Sequence, residues 1–381
     1  MIFFWIVINT TPVYVSIVSH NEEPKNSAYE DYTKNRDYYL LHRENLRKFA
    51  LMLSQHNVKY NFQSDWTFLV ACLMFDTDSV IKNTNNKNIV RWLKEDIKAE
   101  VDPHAHETEY NYADVAKLID SLGVQPSNVV GGFIQYPVDS SVFDHFLSPI
   151  KGWRYDYTWK PKILWGAASF LHQGKESYES GIWKPKDKYH FTQHDDAQHL
   201  VYIGKGYNKN PFEGIYKLVE EIENGTAPPN KIYTYTIFVA QNMINDQYIA
   251  DFEKELIKLN PLVSQGKVIF TGLTELVEIW KTQYDSVPNI YLSPEGIKEK
   301  ETKNIFWDFK HGSLYITLFS KSNVKIEIFD ISGRKKYSFL LRLSKGEHKI
   351  ELKPSSLSKG VYFLKLSLDR KKVLNEKIIN F

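Results

Sequence analysis

VYVSIVSHNEE, Val13 to Glu23, is the stretch on which the reading of the fold turns. Its first seven residues are mostly β-branched or aromatic, as expected of a strand buried on both faces. It then ends in the polar run His20-Asn21-Glu22-Glu23. On extended backbone, side chains two apart point the same way, so His20 and Glu22 share one face. AEVDPHAH, Ala99 to His106, has the same design and ends in His104 and His106, again two apart. A buried strand with a polar C-terminal end is how parallel α/β folds present functional side chains.

Helical patterns separate such strands. Leu40, Leu41, Phe49 and Leu53 mark a helix across 29–56, and further helices are predicted at 66–75, 86–97, 112–122, 141–147, 212–223, 246–259 and 273–284. Strands are predicted at 59–63, 129–134, 232–240 and 267–272, with an irregular, β-rich stretch from Trp159 to Gly206. Strands alternating with helices predict an α/β fold, and seven or so units over residues 12–286 predict a (β/α)7-type barrel, closed or partly closed. Residues 287–304, with prolines, a glycine and a charge run, read as a linker. Residues 305–381 carry six or seven short alternating strands, the pattern of a small all-β sandwich. Residues 1–11 read either as a signal-peptide remnant or as a first strand, and the apolar stretch there is too short to span a bilayer, so no transmembrane segment is expected.

A chain of 381 residues, 43% hydrophobic and 25% charged, has the composition of folded domains. The net charge of +2 conceals an asymmetry: residues 306–381 hold 16 Lys/Arg against 7 Asp/Glu, and the rest 32 against 39. The basic residues of the tail alternate with apolar ones, which marks a solvated sheet face rather than a nucleic-acid surface. The single cysteine, Cys72, lies in an apolar run and excludes any disulfide within the chain. No dinucleotide fingerprint, P-loop, G-x-S-x-G elbow, CxxC pair or nucleic-acid motif is present, so no nucleic acid is expected as a partner.

If both polar strand ends meet at one rim, His20, Glu22, His104 and His106 converge. Imidazoles with a carboxylate suit Zn²⁺ or a similar divalent metal. Glu22, or an acid beside it, would then serve as general base. Other residues belong to the rim by position. Gln63, Asp65 and Trp66 follow the second strand, Trp165 and Trp183 offer faces for stacking sugars, and Arg154 suits an anionic sugar. His194 and Asp195 precede another strand and suit an acid/base pair or further ligands.

Two family resemblances add to this. VKIEIFDISGRKK (324–336), LSKGVYFLKL (357–366) and the KII ending at 377–379 resemble the type A C-terminal sorting domain of the type IX secretion system. That resemblance implies export by this machinery, to a secreted or surface-attached location. The body, through VSIVSHNEE (15–23), His104-x-His106 and the barrel layout, resembles the polysaccharide deacetylase (NodB-like) family. It implies a metal-dependent deacetylase acting on a poly- or oligosaccharide. The family's first motif has two adjacent Asp and its second two His four apart. Here the positions read His20-Asn21-Glu22 and His104-Ala105-His106, which leaves the ligand set and the base open. A glycoside hydrolase on a related barrel and a non-catalytic carbohydrate-binding surface protein remain alternatives.

Overall fold

The computed structural model describes residues 11–24, 30–133, 140–166, 178–188, 190–207, 211–296, 306–310, 313–318, 321–344, 346–351, 360–368 and 371–380. The apolar start and residues 297–304 of the expected linker lie outside them. The chain divides into two compact units at Ser293/Pro294.

The first unit opens with β1 (Val13–Asn21), α1 (Arg36–Gln55), β2 (Tyr60–Ser64), α2 (Trp66–Phe75), α3 (Ile89–Glu95) and β3 (Glu100–Pro103). Next come α4 (Tyr112–Ser121), β4 (Val129–Phe133), α5 (Ser140–His145), a two-rung hairpin of β5 (Ile150–Lys151) and β6 (Thr158–Trp159), β7 (Ile163–Gly166), β8 (Ile182–Trp183) and β9 (Val201–Ile203). It closes with α6 (Glu213–Glu223), β10 (Tyr233–Ala240), α7 (Asp246–Ser264), β11 (Val268–Phe270) and α8 (Leu273–Gln283). Side-chain caps set the helix starts: Asn35, Asp65 and Asn245 each accept from a first-turn N–H of α1, α2 and α7, and Asn111 forms a capping box with Asp114 on α4.

Every residue of β1 is buried. Val13, Val15 and Ile17 pack into the core beneath the helices, whereas Tyr14 and Val18 pack with Trp165 and Trp280 on the other face. His20 continues that second face by the two-residue alternation of a strand. Burying each Val or Ile contributes about 1.5–3 kcal/mol, which fixes the register of β1 and hence the position of His20. β10 pairs with one side of β1; β2 and β11 share the other side, all parallel, and β3 continues from β2.

Of the two forms of barrel expected, a closed one is not found among the described residues. β4, β7 and β9 form a separate parallel sheet with β8 antiparallel at its edge. Two seams join the sheets. At one, β3 meets β4 through a single bridge, His104 to Gly131. Pro103 has no N–H to extend the ladder, and on its other side β4 shifts register against β7 between Val130 and Phe133. At the other, the Thr236 N–H donates to the Lys205 carbonyl at 3.0 Å. There the Thr234 hydroxyl donates to Gly204 O (2.6 Å) and accepts from Gly181 N (2.7 Å), and the Ser180 hydroxyl donates to Thr234 O (2.9 Å) and accepts from Thr234 N (2.9 Å). The first unit runs past the expected boundary at 286: the Asn289 N–H donates to Ile182 O, and Tyr291 bridges to Ser180.

The second unit holds two antiparallel sheets. One consists of β12 (Phe306–Lys310), β13 (Ser313–Leu318) and β16 (Gly346–Glu351). The other orders β15 (Lys335–Leu343), β14 (Ser322–Asp330), β17 (Gly360–Leu368) and β18 (Lys371–Asn380). Leu314, Ile316, Val324, Ile326, Ile328, Leu364 and Leu366 form its apolar core. In the turn after β14, the Asp330 carboxylate accepts from the N–H and hydroxyl of Ser332 and from the N–H and Nε of Arg334, while Gly333 takes φ +77°. Those bonds are why the D-x-x-G-R pattern marks this turn.

Candidate functional site

The C-terminal ends of β1, β2 and β3 bring together His20, Glu22, Asp65, His104 and His106. Glu22 is the centre: its Oε1 lies 3.2 Å from His20 Nδ1, and its Oε2 lies 3.2 Å from His104 Nε2 and 3.1 Å from His106 Nε2. Asp65 Oδ2 lies 3.1 Å from His106 Nδ1, while Oδ1 caps α2. The rings of His20 and His104 face each other with centroids 4.2 Å apart. His20, His104 and Asp65 are buried; His106, at 25% exposure of its side chain, is the member that meets solvent.

The outer nitrogen of each imidazole meets an acceptor. His104 Nδ1 lies 2.7 Å from the Gly131 carbonyl, and His20 Nε2 lies 2.5 Å from Gln63 Oε1. His106 Nδ1 faces Asp65, as above. Carbonyl and carboxylate oxygens can only accept, so a neutral ring serves one of its two acceptors and turns a lone pair on the other. With the ring protons on the outer atoms, the inner nitrogens of all three rings turn their lone pairs toward one carboxylate. That arrangement demands a positive charge at the centre, supplied by protons or by a cation. In the ion-free protein the proton falls on His104. Burial opposes its charge, but the Glu22 carboxylate outweighs this and raises His104 to about 9. Burial, and next the charge on His104, lower His20 to about 4. Burial pushes Glu22 up, yet the two histidines hold it well below the carboxylate range. His20, Glu22 and His104 on the one hand, and Asp65, His104 and His106 on the other, offer ligand atoms within 4.8 Å of one another.

Gly132 closes the floor of this cluster. It takes φ +78°, and a Cβ there would lie 2.7 Å from His20 Cε1 and 3.1 Å from His104 Cε1. On the flank, Glu23 is buried and accepts from Trp66 Nε1 (3.1 Å) and the Thr108 hydroxyl (2.6 Å). Trp66 stacks on Tyr110 at 4.9 Å and 17°, and the Arg154 guanidinium lies 4.4 Å over the Tyr110 ring.

Of the other expected residues, Arg154 stays on this flank and the rest fall elsewhere. Trp165 is fully buried behind the cluster, edge-on to His20 at 5.5 Å, with its Nε1–H donated to Thr236 Oγ1, so it supports the ring rather than stacking a sugar. Trp183 is core: it packs on Tyr202 and Phe191 and donates Nε1–H to the Phe191 carbonyl. Arg154 is half-exposed and pairs with Glu109 at 3.2 Å. His194 and Asp195 belong to the opposite end of the sheet. They precede the start of β9; the Lys184 N–H donates to His194 Nδ1, Asp196 lies 2.8 Å from its Nε2, and its ring nears Trp280 of α8. The antiparallel run of β8 carries Lys184 away from the rim, which is why the pair lies apart from the cluster. Gly132, Asp102 and Tyr110 were not singled out by the sequence; the double glycine at the end of β4 is the signal that could have found the spot.

Comparison with known proteins identifies the tail. Residues 310–380 match the secretion system C-terminal sorting domain. The protein is thus exported through the type IX secretion system, to the cell surface or beyond it. No helix among the described residues is long and apolar enough to cross a membrane. No curated protein matches the chain in sequence. Several solved structures are similar at low level, three of them as follows. A 4-alpha-glucanotransferase from Thermococcus litoralis is 12% identical over 74% of this chain and 42% of its own, with TM-score 0.43. A protein described as a glycoside hydrolase/deacetylase from Parabacteroides distasonis is 10% identical over 97% of this chain and 84% of its own, with TM-score 0.41. An immunoglobulin-like β-sandwich protein from Bacteroides vulgatus is 14% identical over 21% of this chain and 87% of its own, with TM-score 0.19.

Proposed function

We propose that the body is a metal-dependent hydrolase of the carbohydrate deacetylase type, acting outside the cell on a poly- or oligosaccharide. The observation that carries this reading is the meeting of three inward-facing imidazole nitrogens on Glu22, each within 3.2 Å of its carboxylate. His20 Nδ1, a Glu22 oxygen and His104 Nε2 would hold a zinc-type divalent ion, whose chemistry when bound is polarisation of a carbonyl and acidification of water. His106, on the solvent side, takes the proton of the attacking water at Nε2. Asp65 holds the Nδ1 proton and steadies the imidazolium that results. The Trp66–Tyr110 stack and Arg154 flank the cluster and suit the face of a sugar ring. The exported location and the family resemblance of the body point to the same substrate class.

Metal analysis of the purified full chain and acetate release from an acetylated chito-oligosaccharide test the reading. About one equivalent of a divalent metal is expected, with metal and turnover both lost in His104→Ala. A metal-free protein whose turnover survives His104→Ala would overturn it. A second reading has one observation in its favour: Glu22, Glu23 and Asp65 put three carboxylates at one rim, and glycoside hydrolysis needs two. Release of reducing ends without acetate would favour that reading, and glycan binding without any turnover would favour a binding protein.

A further inference from the structure

Beneath the cluster runs a hydrogen-bonded chain of buried side chains. Gln63 Oε1 accepts from His20 Nε2, and Gln63 Nε2 donates to Asp102 Oδ2 at 3.1 Å. Asp102 Oδ1 accepts from the Ser127 hydroxyl at 2.6 Å. Gln63 and Asp102 are both fully buried. A carboxylate in such a place costs several kcal/mol unless its partners compensate. Burial, with the Glu100 carboxylate next to it, works against its charge.

The contrast with His104 shows what this carboxylate does. The acceptor for His104 is the Gly131 carbonyl, a backbone group that cannot turn over. The acceptor for His20 is a side-chain amide, which can present either oxygen or NH₂ to the ring. With NH₂ toward His20, the ring would have to accept at Nε2 and carry its proton at Nδ1, where Glu22 and the ion-binding side lie. Asp102 Oδ2 accepts from Gln63 Nε2 and from Asn61 Nδ2 (3.5 Å) while Oδ1 meets the Ser127 hydroxyl, so the oxygen that faces Gln63 is an acceptor and selects the amide orientation in which NH₂ faces Asp102.

We propose that Gln63 and Asp102 are positioning residues that hold the proton of His20 on Nε2 and so keep the Nδ1 lone pair available to a metal ion. The metal half of this inference rests on the proposed function, whereas the tautomer half stands without it. Outer partners of this kind are worth about 10–100-fold in metal affinity.

The test is ¹⁵N NMR of the histidine rings in the ion-free full chain, with His20 assigned by its loss in His20→Asn, combined with Zn²⁺ titration against a chelator. Wild type should show His20 as the Nε2–H tautomer. Asp102→Asn supplies a donor to Gln63 and lets the amide turn. It should bring in the Nδ1–H form and weaken Zn²⁺ binding about 10–100-fold. The double variant Gln63→Glu/Asp102→Asn restores a group that can only accept from His20, and should recover the Nε2–H form and most of the affinity. A merely structural role predicts no such rescue. Should Asp102→Asn not fold, Gln63→Met keeps the volume, removes the acceptor and should give mixed tautomers. An unchanged tautomer in the folded single variant, or no recovery in the double, would overturn the proposal. A tautomer shift in a protein whose wild type binds no Zn²⁺ would leave the positioning role standing and remove the metal reading instead.

Discussion

The inner faces of the two units are built from different materials. In the tail, the residues that point inward from β13, β14 and β17 are aliphatic almost throughout, and the charges lie on the other faces of the strands. In the body, the buried strand ends carry His20, Gln63, Asp65, Asp102 and His104. Buried polar groups contribute less net stability than apolar packing and cost more when they lose a partner. A core of the first kind specifies a shape. One of the second kind gives up some stability to hold particular atoms at particular points, and that is where chemistry is to be sought.

The contrast can be broken or sharpened by substitution. Asp65→Asn keeps the cap on α2 but loses the carboxylate behind His106. Acetate release should fall by about 10²–10⁴-fold, with the unfolding midpoint nearly unmoved. Steady-state kinetics beside a urea titration would check both halves. Leu364→Ala in the tail should do the reverse. It should cost about 2–5 kcal/mol in the denaturant unfolding of the tail and leave Zn²⁺ affinity and turnover within twofold of wild type. A drop in turnover there would erase the division of labour. Gly132→Ala joins the two currencies. The strained φ costs about 1–3 kcal/mol, and the new methyl displaces both imidazoles, so Zn²⁺ affinity measured by calorimetry should fall with stability.

The smallest effect is expected at Glu327, a charge that the tail buries. Glu327 lies 2.7 Å from Lys335 and 3.0 Å from Lys325. Its hydrogen bond to Lys335, then that to Lys325, holds its carboxyl down to about 2. A depressed carboxylate adds stability that is present above its unfolded pKa, about 4.5, and is lost as pH falls toward 2. Because water screens the lysines, the loss should be below about 1 kcal/mol. Hydrogen exchange of β14 amides between pH 5 and pH 2.5 would detect it, and Glu327→Gln should flatten the dependence.

The sequence revealed most where a local pattern carries the information. The alternation along β1 predicted a shared face for His20 and Glu22, and the structure places Glu22 against His104 and His106 and His20 against His104. Gln63, Asp65 and Trp66 read as the residues between a strand and a helix, because the strand and the apolar helical run on either side are local patterns. What stayed illegible depends on neighbours distant in the chain. The relay through Asp102 needs β2 beside β3. The Trp66–Tyr110 stack needs α2 beside the loop before α4. His194 was expected at the rim because it precedes a strand; the two-residue β8, too short to announce its direction, turns that segment toward the other end. The seams escaped as well, since neither a missing proline N–H nor a bulge can be located before the partner strand is known.

The seam between β9 and β10 has one more consequence. A backbone ladder is indifferent to sequence: nearly any residue supplies the same N–H and C=O. At this joint, beside one backbone bond from Thr236 to Lys205, the donors and acceptors belong to the hydroxyls of Ser180 and Thr234. A single codon change, Thr234→Val, would remove the bonds of the Thr234 hydroxyl to Gly204 and Gly181 while keeping the shape of the residue and the Ser180 bonds to its backbone. How firmly the two sheets of the body hold together is therefore a heritable setting, open to adjustment one mutation at a time in a way that ladder-paired strands are not.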